Sequence, residues 1–316
     1  MTDFDKIKRE PLLDEALYTE SVRFKTESFI NRTLEDALTG KSESRSYREG
    51  RSWDWASAFL ELLIQMYSGG VDIEELKPCA KRMFEFFEQH KLNFPEFHLE
   101  PWEPDAYQYI LWLLSLAVLF DMPERVAAIS SLVSDTSEQG RDSLLRQLFA
   151  RAGAEVHGDK LIHDKPYSEL QAAINTSGDE QRQLMGRYLK HWYQNMKSCY
   201  WYGRDKRPIS GFFGYWAFEA GMVTVLWDID DTVYRDLPYY PKDLVDYARA
   251  KHVADHFTQG RLIGAPGMTA KSGEECPCTG VWTCDDWAVG PQTFSRGITL
   301  PTDSGRQVTW RLTKVI

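Results

Sequence analysis

Between residues 51 and 68, Ala56, Phe59, Leu60, Leu63, Met66 and Tyr67 fall at helical spacing, and Gly69-Gly70 stops the pattern. This predicts an amphipathic helix with one buried side. A second helix is expected from about Asp72 to Leu92, where Asp72, Glu74 and Glu75 suit the positive end of the helix dipole. Pro104-Asp105-Ala106 opens a strongly apolar helix running to Phe120, and Phe212–Trp227 reads as another. Shorter helices are expected over 123–134, 138–152 and 166–176, a longer one over 179–199, and a last one from Pro241 to Phe257, with proline in its first turn. The two apolar helices resemble each other. Each begins with aromatics (Tyr107, Tyr109 and Trp112; Tyr215, Trp216 and Phe218) and ends on an acid, Asp121 or Asp228.

The pattern changes after Gly260, where glycine and proline punctuate short β-type runs such as Val281-Trp282-Thr283 and residues 307–312. The expected fold is mostly α: a multi-helix bundle of two helical halves, residues 1–150 and 151–260, with a small C-terminal β-rich appendage over 261–316.

Composition narrows the function. The 316 residues are 43% hydrophobic and 27% charged, with 11 Trp and 15 Tyr, a globular mixture heavy in rings that fill cores or anchor interfaces. A net charge of −10 repels a nucleic-acid backbone and attracts a basic protein. Between Asp54 and Asp105 eleven acids face four bases, enough to form an acidic face. The first residues lack an apolar stretch behind a positive start, and the run from Ile110 to Phe120 is too short to cross a bilayer. Five cysteines fit free thiols in a reducing cytosol, so the expected location is cytoplasmic, with no membrane and no nucleic acid as partner.

Candidate catalytic chemistry is sparse. His252 and His256 are spaced one helical turn apart, but the inverted metalloprotease pattern wants Glu where Asp255 stands. Cys276, Cys278 and Cys284 offer three thiolates where a structural zinc site wants four ligands. The Asp228–Asp231 run lacks the glycine and distal glutamate of a calcium loop. Glu219 interrupts an apolar helix, so it is expected to be buried and hydrogen-bonded. No phosphate-binding glycine loop or nucleophile elbow occurs. No metal, cofactor or catalytic residue is assigned. The alternative is a helical metal-dependent hydrolase using His252, His256 and the Asp228–Asp231 loop.

Four ordered segments carry a resemblance: Ser46-Tyr47-Arg48-Glu49-Gly50, residues 105–117, Phe213-Gly214-Tyr215-Trp216-Ala217-Phe218-Glu219, and Tyr240-Pro241-Lys242-Asp243-Leu244. Over about residues 45–258 the chain resembles the PoNi-like immunity proteins of bacterial polymorphic toxin systems. The resemblance implies an all-helical protein of two parts, encoded beside a toxin often delivered by type VI secretion and typically a nuclease. It also implies a function of binding and neutralising that toxin rather than catalysis. Composition, not the resemblance, picks two acidic, aromatic patches for toxin contact. One is Trp102, Glu103 and Asp105; the other is Asp228, Asp230, Asp231, Tyr234, Asp236, Tyr239 and Tyr240.

Overall fold

Twelve α-helices and four β-strands are formed by the residues described in the computed structural model, which are 3–30, 44–206, 211–260, 269–276, 279–284, 290–295, 297–302 and 305–315. Their contacts divide the chain into two compact units, residues 1–150 with 154–254, and residues 151–153 with 255–316.

In the first unit, helices α1 (Asp3–Ile7) and α2 (Glu15–Lys25) occupy an N-terminal stretch for which the hydrophobic pattern predicts nothing. Asp14 caps α2 by accepting the N–H groups of Ala16 and Leu17. Helix α3 (Arg45–Ser68) starts at a Ser44 cap, ahead of the expected pattern over 51–68, and stops at Gly69-Gly70, as the sequence predicts. Gly70 has φ +92°, and a Cβ there would lie 2.2 Å from the Ile7 carbonyl oxygen. The glycine therefore serves both the turn and the close passage of the N-terminal segment. Helix α4 (Ile73–Asn93) packs along α3 behind an Asp72 cap.

The centre is α5 (Pro104–Leu119) packed against α10 (Phe218–Leu226). Every residue from Tyr107 to Leu119 and every residue of α10 is buried. Both helices end in the same way. Asp121 (φ +58°) and Asp228 (φ +50°) take the left-handed position. The next N–H then reaches back five residues, from Met122 to Ala117 at 2.8 Å and from Ile229 to Thr224 at 3.0 Å. Aspartate tolerates that conformation better than most residues, so the two matching acids are helix stops.

Around the centre lie α6 (Val126–Ser131), α7 (Ser143–Ala152), α8 (Asp164–Ile174) and α9 (Gly178–Asn195). Two expected helices are corrected. Residues 212–217 form no helix, because Gly214 (φ +105°) lets the chain press against Ser68, whose hydroxyl donates to the Phe213 carbonyl at 2.6 Å. The expected helix from Pro241 splits into α11 (Lys242–Ala250) and α12 (Val253–Gly260), separated by His252 in the left-handed region (φ +53°). Among the described residues, no helix is long and apolar enough to cross a membrane.

The second unit holds the small antiparallel sheet, in the order β1 (Thr269–Lys271), β4 (Thr309–Val315), β2 (Gly280–Cys284), β3 (Gln292–Phe294). Alternation along β4 turns Trp310 and Leu312 to one face, where they join Trp282, Phe294, Leu300, Ala270 and Cys276 in a separate apolar cluster. Phe294 meets Trp310 edge-to-face at 4.8 Å, and the Trp310 indole donates to the Pro301 carbonyl. Because this sheet has its own core, a chain ending at Gly260 is expected to keep its far-UV helix signal and cooperative melting. Collapse of that signal would show that the sheet covers a face the helices need.

Candidate partner-binding groove

The last turn of α3 leaves carbonyl groups with no partner in their own helix. The N-terminal segment supplies donors. Backbone N–H groups of Arg9 and Glu10 reach the Ser68 carbonyl at 2.8 and 3.1 Å. The Arg9 guanidinium donates to the carbonyls of Tyr67 (2.9 Å) and Val71 (2.8 Å). It also pairs with Asp243 at 2.6 Å and lies over the Tyr67 ring. Glu10 is buried, and its carboxylate accepts the N–H groups of Leu12 and Tyr215, each at 3.0 Å. Burial raises the Glu10 pKa above its ordinary value, and those two hydrogen bonds oppose the shift.

The opposite wall is the loop 235–240, which follows the Asp228–Asp231 run. Asp231 accepts from Arg249 at 2.8 Å, from the Tyr240 hydroxyl at 2.9 Å and from Arg235 at 3.3 Å. Arg235 continues to Asp246 at 2.7 Å. Between the walls is a cavity of about 690 Å³, floored by Tyr67, Tyr215 and Trp216. That volume is within the usual range for ligand pockets.

Tyr239 lines this cavity with φ +71°, a conformation that is strained for a bulky residue. Its carbonyl accepts the Ala217 N–H at 2.9 Å, and its ring packs on Trp192 and Tyr193. Tyr193 stacks in turn on Tyr202, with centroids 4.6 Å apart, so Tyr202, Tyr193 and Tyr239 form a column of half-buried rings. At its side the Tyr215 hydroxyl donates to Asp205 at 2.7 Å.

The predicted contact residues are distributed unevenly over this architecture. Asp236, Tyr239 and Tyr240 line the groove. Asp231, Tyr234 and Tyr240 are 1–3% exposed, so most of each side chain lies inside the fold, and of the three it is Tyr240 that reaches the groove lining. The expected acidity of this loop is also offset from within, since Arg182 pairs with Asp230 (3.1 Å) and Lys242 with Asp236 (2.9 Å). Asp228 is exposed and serves as the stop of α10. In the other patch Glu103 is exposed and Trp102 half-buried, while Asp105 accepts the Tyr200 N–H at 2.8 Å. The two patches are anchored to different neighbours. The sequence gives no sign of the N-terminal wall, because Arg9 and Glu10 stand among mostly polar residues without a periodic signal.

The residues of the hydrolase alternative are placed differently from its requirements. His252 lies outside any helix, and Asp230 and Asp231 are bound to arginines. Cys276 is in the apolar cluster of the sheet, with Cys284 packed against it, and Cys278 lies outside the described residues. Among the described residues, no group of three or more His, Cys, Asp or Glu side chains is arranged to hold a metal.

Two buried titratable groups sit away from the groove. Glu219 is fully buried, as expected, and accepts hydrogen bonds from the Tyr188 hydroxyl and the Trp192 indole, both at 2.6 Å. Burial pushes its carboxyl up to about 7. His90 is enclosed by Trp53, Phe94 and Phe97, and burial pushes its imidazole down to about 4.

Two family models match the chain: the N-terminal part of the PoNe immunity proteins (PoNi) over residues 9–130, and their C-terminal part over residues 140–244. The chain belongs to the PoNe immunity protein family. Both walls of the groove lie in the matched ranges, Arg9 and Glu10 in the first, and Tyr215 and Tyr239 in the second. The β-sheet of this PoNi-family chain lies beyond them. The crystal structure of protein PA2201 from Pseudomonas aeruginosa has a similar fold, with a TM-score of 0.63 at 22% identity over 79% of this chain and 93% of that one. No curated protein matches the chain.

The two buried groups make opposite contributions to the pH dependence of stability. Glu219 has a raised folded-state pKa, so its contribution is present below its ordinary 4.5 and lost as pH rises through about 7. His90 has a depressed one, so its contribution is present above its ordinary 6.5 and lost as pH falls through about 4. Urea unfolding at pH 5, 6 and 7 checks this. Relative to the wild type, E219Q should gain stability as pH rises, and H90F should gain as pH falls. E219A at pH 7 should cost about 2–4 kcal/mol, because it strands two buried donors.

Proposed function

We propose that this PoNi-family protein is the immunity partner of a PoNe toxin of nuclease chemistry, and that it acts by binding the toxin and occluding its active or substrate-binding surface. The observation that carries this reading is the match of both family models over most of the helical unit. Its net charge of −10 supports it further, because a nuclease must present a cationic groove to a phosphate backbone and an acidic protein can occupy that groove. The protein acts stoichiometrically, without catalysis, in the cytoplasm of the toxin-producing cell or its siblings, in a polymorphic-toxin setting of the type VI secretion kind. Neither nucleic acid nor membrane is its partner.

Exposed acids with no basic partner among the described residues are the first candidates for long-range attraction. Glu100 and Glu103 flank half-buried Trp102 at the entry to α5. Charge at the rim of an interface acts mainly on encounter. Cells lacking this protein should be killed by the cognate toxin and rescued by its expression. E100K/E103K should keep the wild-type melting temperature yet associate with the toxin about tenfold more slowly at low salt, with the gap closing at high salt. Failure of the intact protein to bind or protect would refute the function, whereas a wild-type rate in the double variant would only remove this patch from it.

A further inference from the structure

We infer that the tyrosine column ending at Tyr239 is the docking point for an arginine or lysine side chain of the partner toxin, with Asp205 as its counter-charge. This rests on the toxin-binding reading and adds the place and the chemistry of a central contact.

The first argument is conformational. Glycine or asparagine would hold the φ +71° turn at Tyr239 with less strain, yet a large, half-buried ring stands there on the cavity wall. Its stacking on Tyr193 and its packing on Trp192 fix the ring before any partner arrives. Rigid tyrosines supply contact area at low entropic cost and are enriched where binding energy concentrates.

The second argument is charge complementarity. Each base lining the groove already has an acid: Lys8 has Asp5, Arg9 has Asp243, Arg235 has Asp231 and Asp246, and Lys242 has Asp236. Glu10 in the lining, and Asp205 beside it on the Tyr215 hydroxyl, differ. Among the described residues, Glu10 accepts from backbone N–H groups, and Asp205 accepts from the hydroxyls of Tyr215 and Tyr193. Burial raises the pKa of the Tyr239 hydroxyl, and the neighbouring Tyr193, Glu10, Asp205 and Tyr202 add to the shift, so both carboxylates bear on that ring. Ring faces beside carboxylates favour a cation, and a guanidinium can stack on tyrosine while donating to Asp205. An anionic side chain would meet two like charges there.

The test compares the wild type with Y239A, Y239F, D205N and Y202A for affinity to the cognate toxin domain at two salt concentrations, with melting temperatures measured in parallel. Y239A should weaken binding at least tenfold, Y239F should bind nearly as the wild type does, and Y202A should be intermediate. D205N should weaken binding several-fold and flatten the salt dependence. If Y239A melts well below the wild type, D205N, which preserves size and an acceptor oxygen, reads the same contact. Wild-type affinity and salt response in both D205N and Y239A overturn the proposal while leaving toxin neutralisation intact. Toxin-free self-association that Y239A abolishes also overturns it, since the occupant would then be a second copy. Absence of toxin binding by the wild type overturns the underlying function itself.

Discussion

Two helices without a polar side, α5 and α10, pack on each other, and the rest of the helical unit follows from the need to cover them. Thirteen consecutive buried residues in α5 and all nine in α10 leave neither helix a face for water. Burying one large aliphatic side chain contributes about 1.5–3 kcal/mol, so exposing either helix would cost more than a domain's whole net stability. Helices α6 and α11 lie against α5, and α11 also against α10. The chain must leave both apolar helices sharply to build this shell, and an aspartate in the left-handed position makes each exit. Residues that read in sequence as an acidic loop thus begin as the device that ends a buried helix.

Much of the acidity is committed to joints of the fold. Asp231 ties α11 to the loop after α10 through Arg249, and Asp243 holds the N-terminal segment through Arg9. Glu61 joins α2 to the turn after α9 through Lys25 and Arg204. Where one partner is buried, as Asp231 is, the pair is poor evidence of net stability, but losing the other partner strands that charge. Reversing Asp231 would therefore report on folding, and exposed acids such as Glu100 and Glu103 are better probes of attraction. Placing the contact on an aromatic groove also changes what charge does. On the contact proposed above, net charge would bring the partner in, while the rings and a few uncompensated carboxylates would hold it.

The groove depends on both ends of the helical unit. Its N-terminal wall satisfies the open carbonyls of α3, and its other wall grows from the exit of α10, with Glu10 reaching across to the Tyr215 N–H. Both family models cover these walls, whereas the β-sheet falls outside them and carries an apolar cluster of its own.

The sequence by itself determined the helical class, α3 with its Gly69-Gly70 stop, the apolar helix from Pro104, the burial of Glu219, the β character after Gly260 and the family resemblance. These are properties of local spacing, of residue type, or of a carboxylate that an apolar neighbourhood must enclose. Tertiary structure decided the rest. Residues 212–217 are apolar enough for a helix, but the Ser68 hydroxyl and the Glu10 carboxylate take the groups that helical hydrogen bonds would use, and the helix begins only at Phe218. Arg9 and Glu10 gave no signal because their partners lie far along the chain. Tyr234 and Tyr240 have the composition of a binding rim, aromatic rings beside acids, yet the Thr224 hydroxyl and the Asp231 carboxylate satisfy their hydroxyls inside. Whether a polar ring is surface or core depends on who answers its hydrogen bond, and only the folded chain brings that answer within reach.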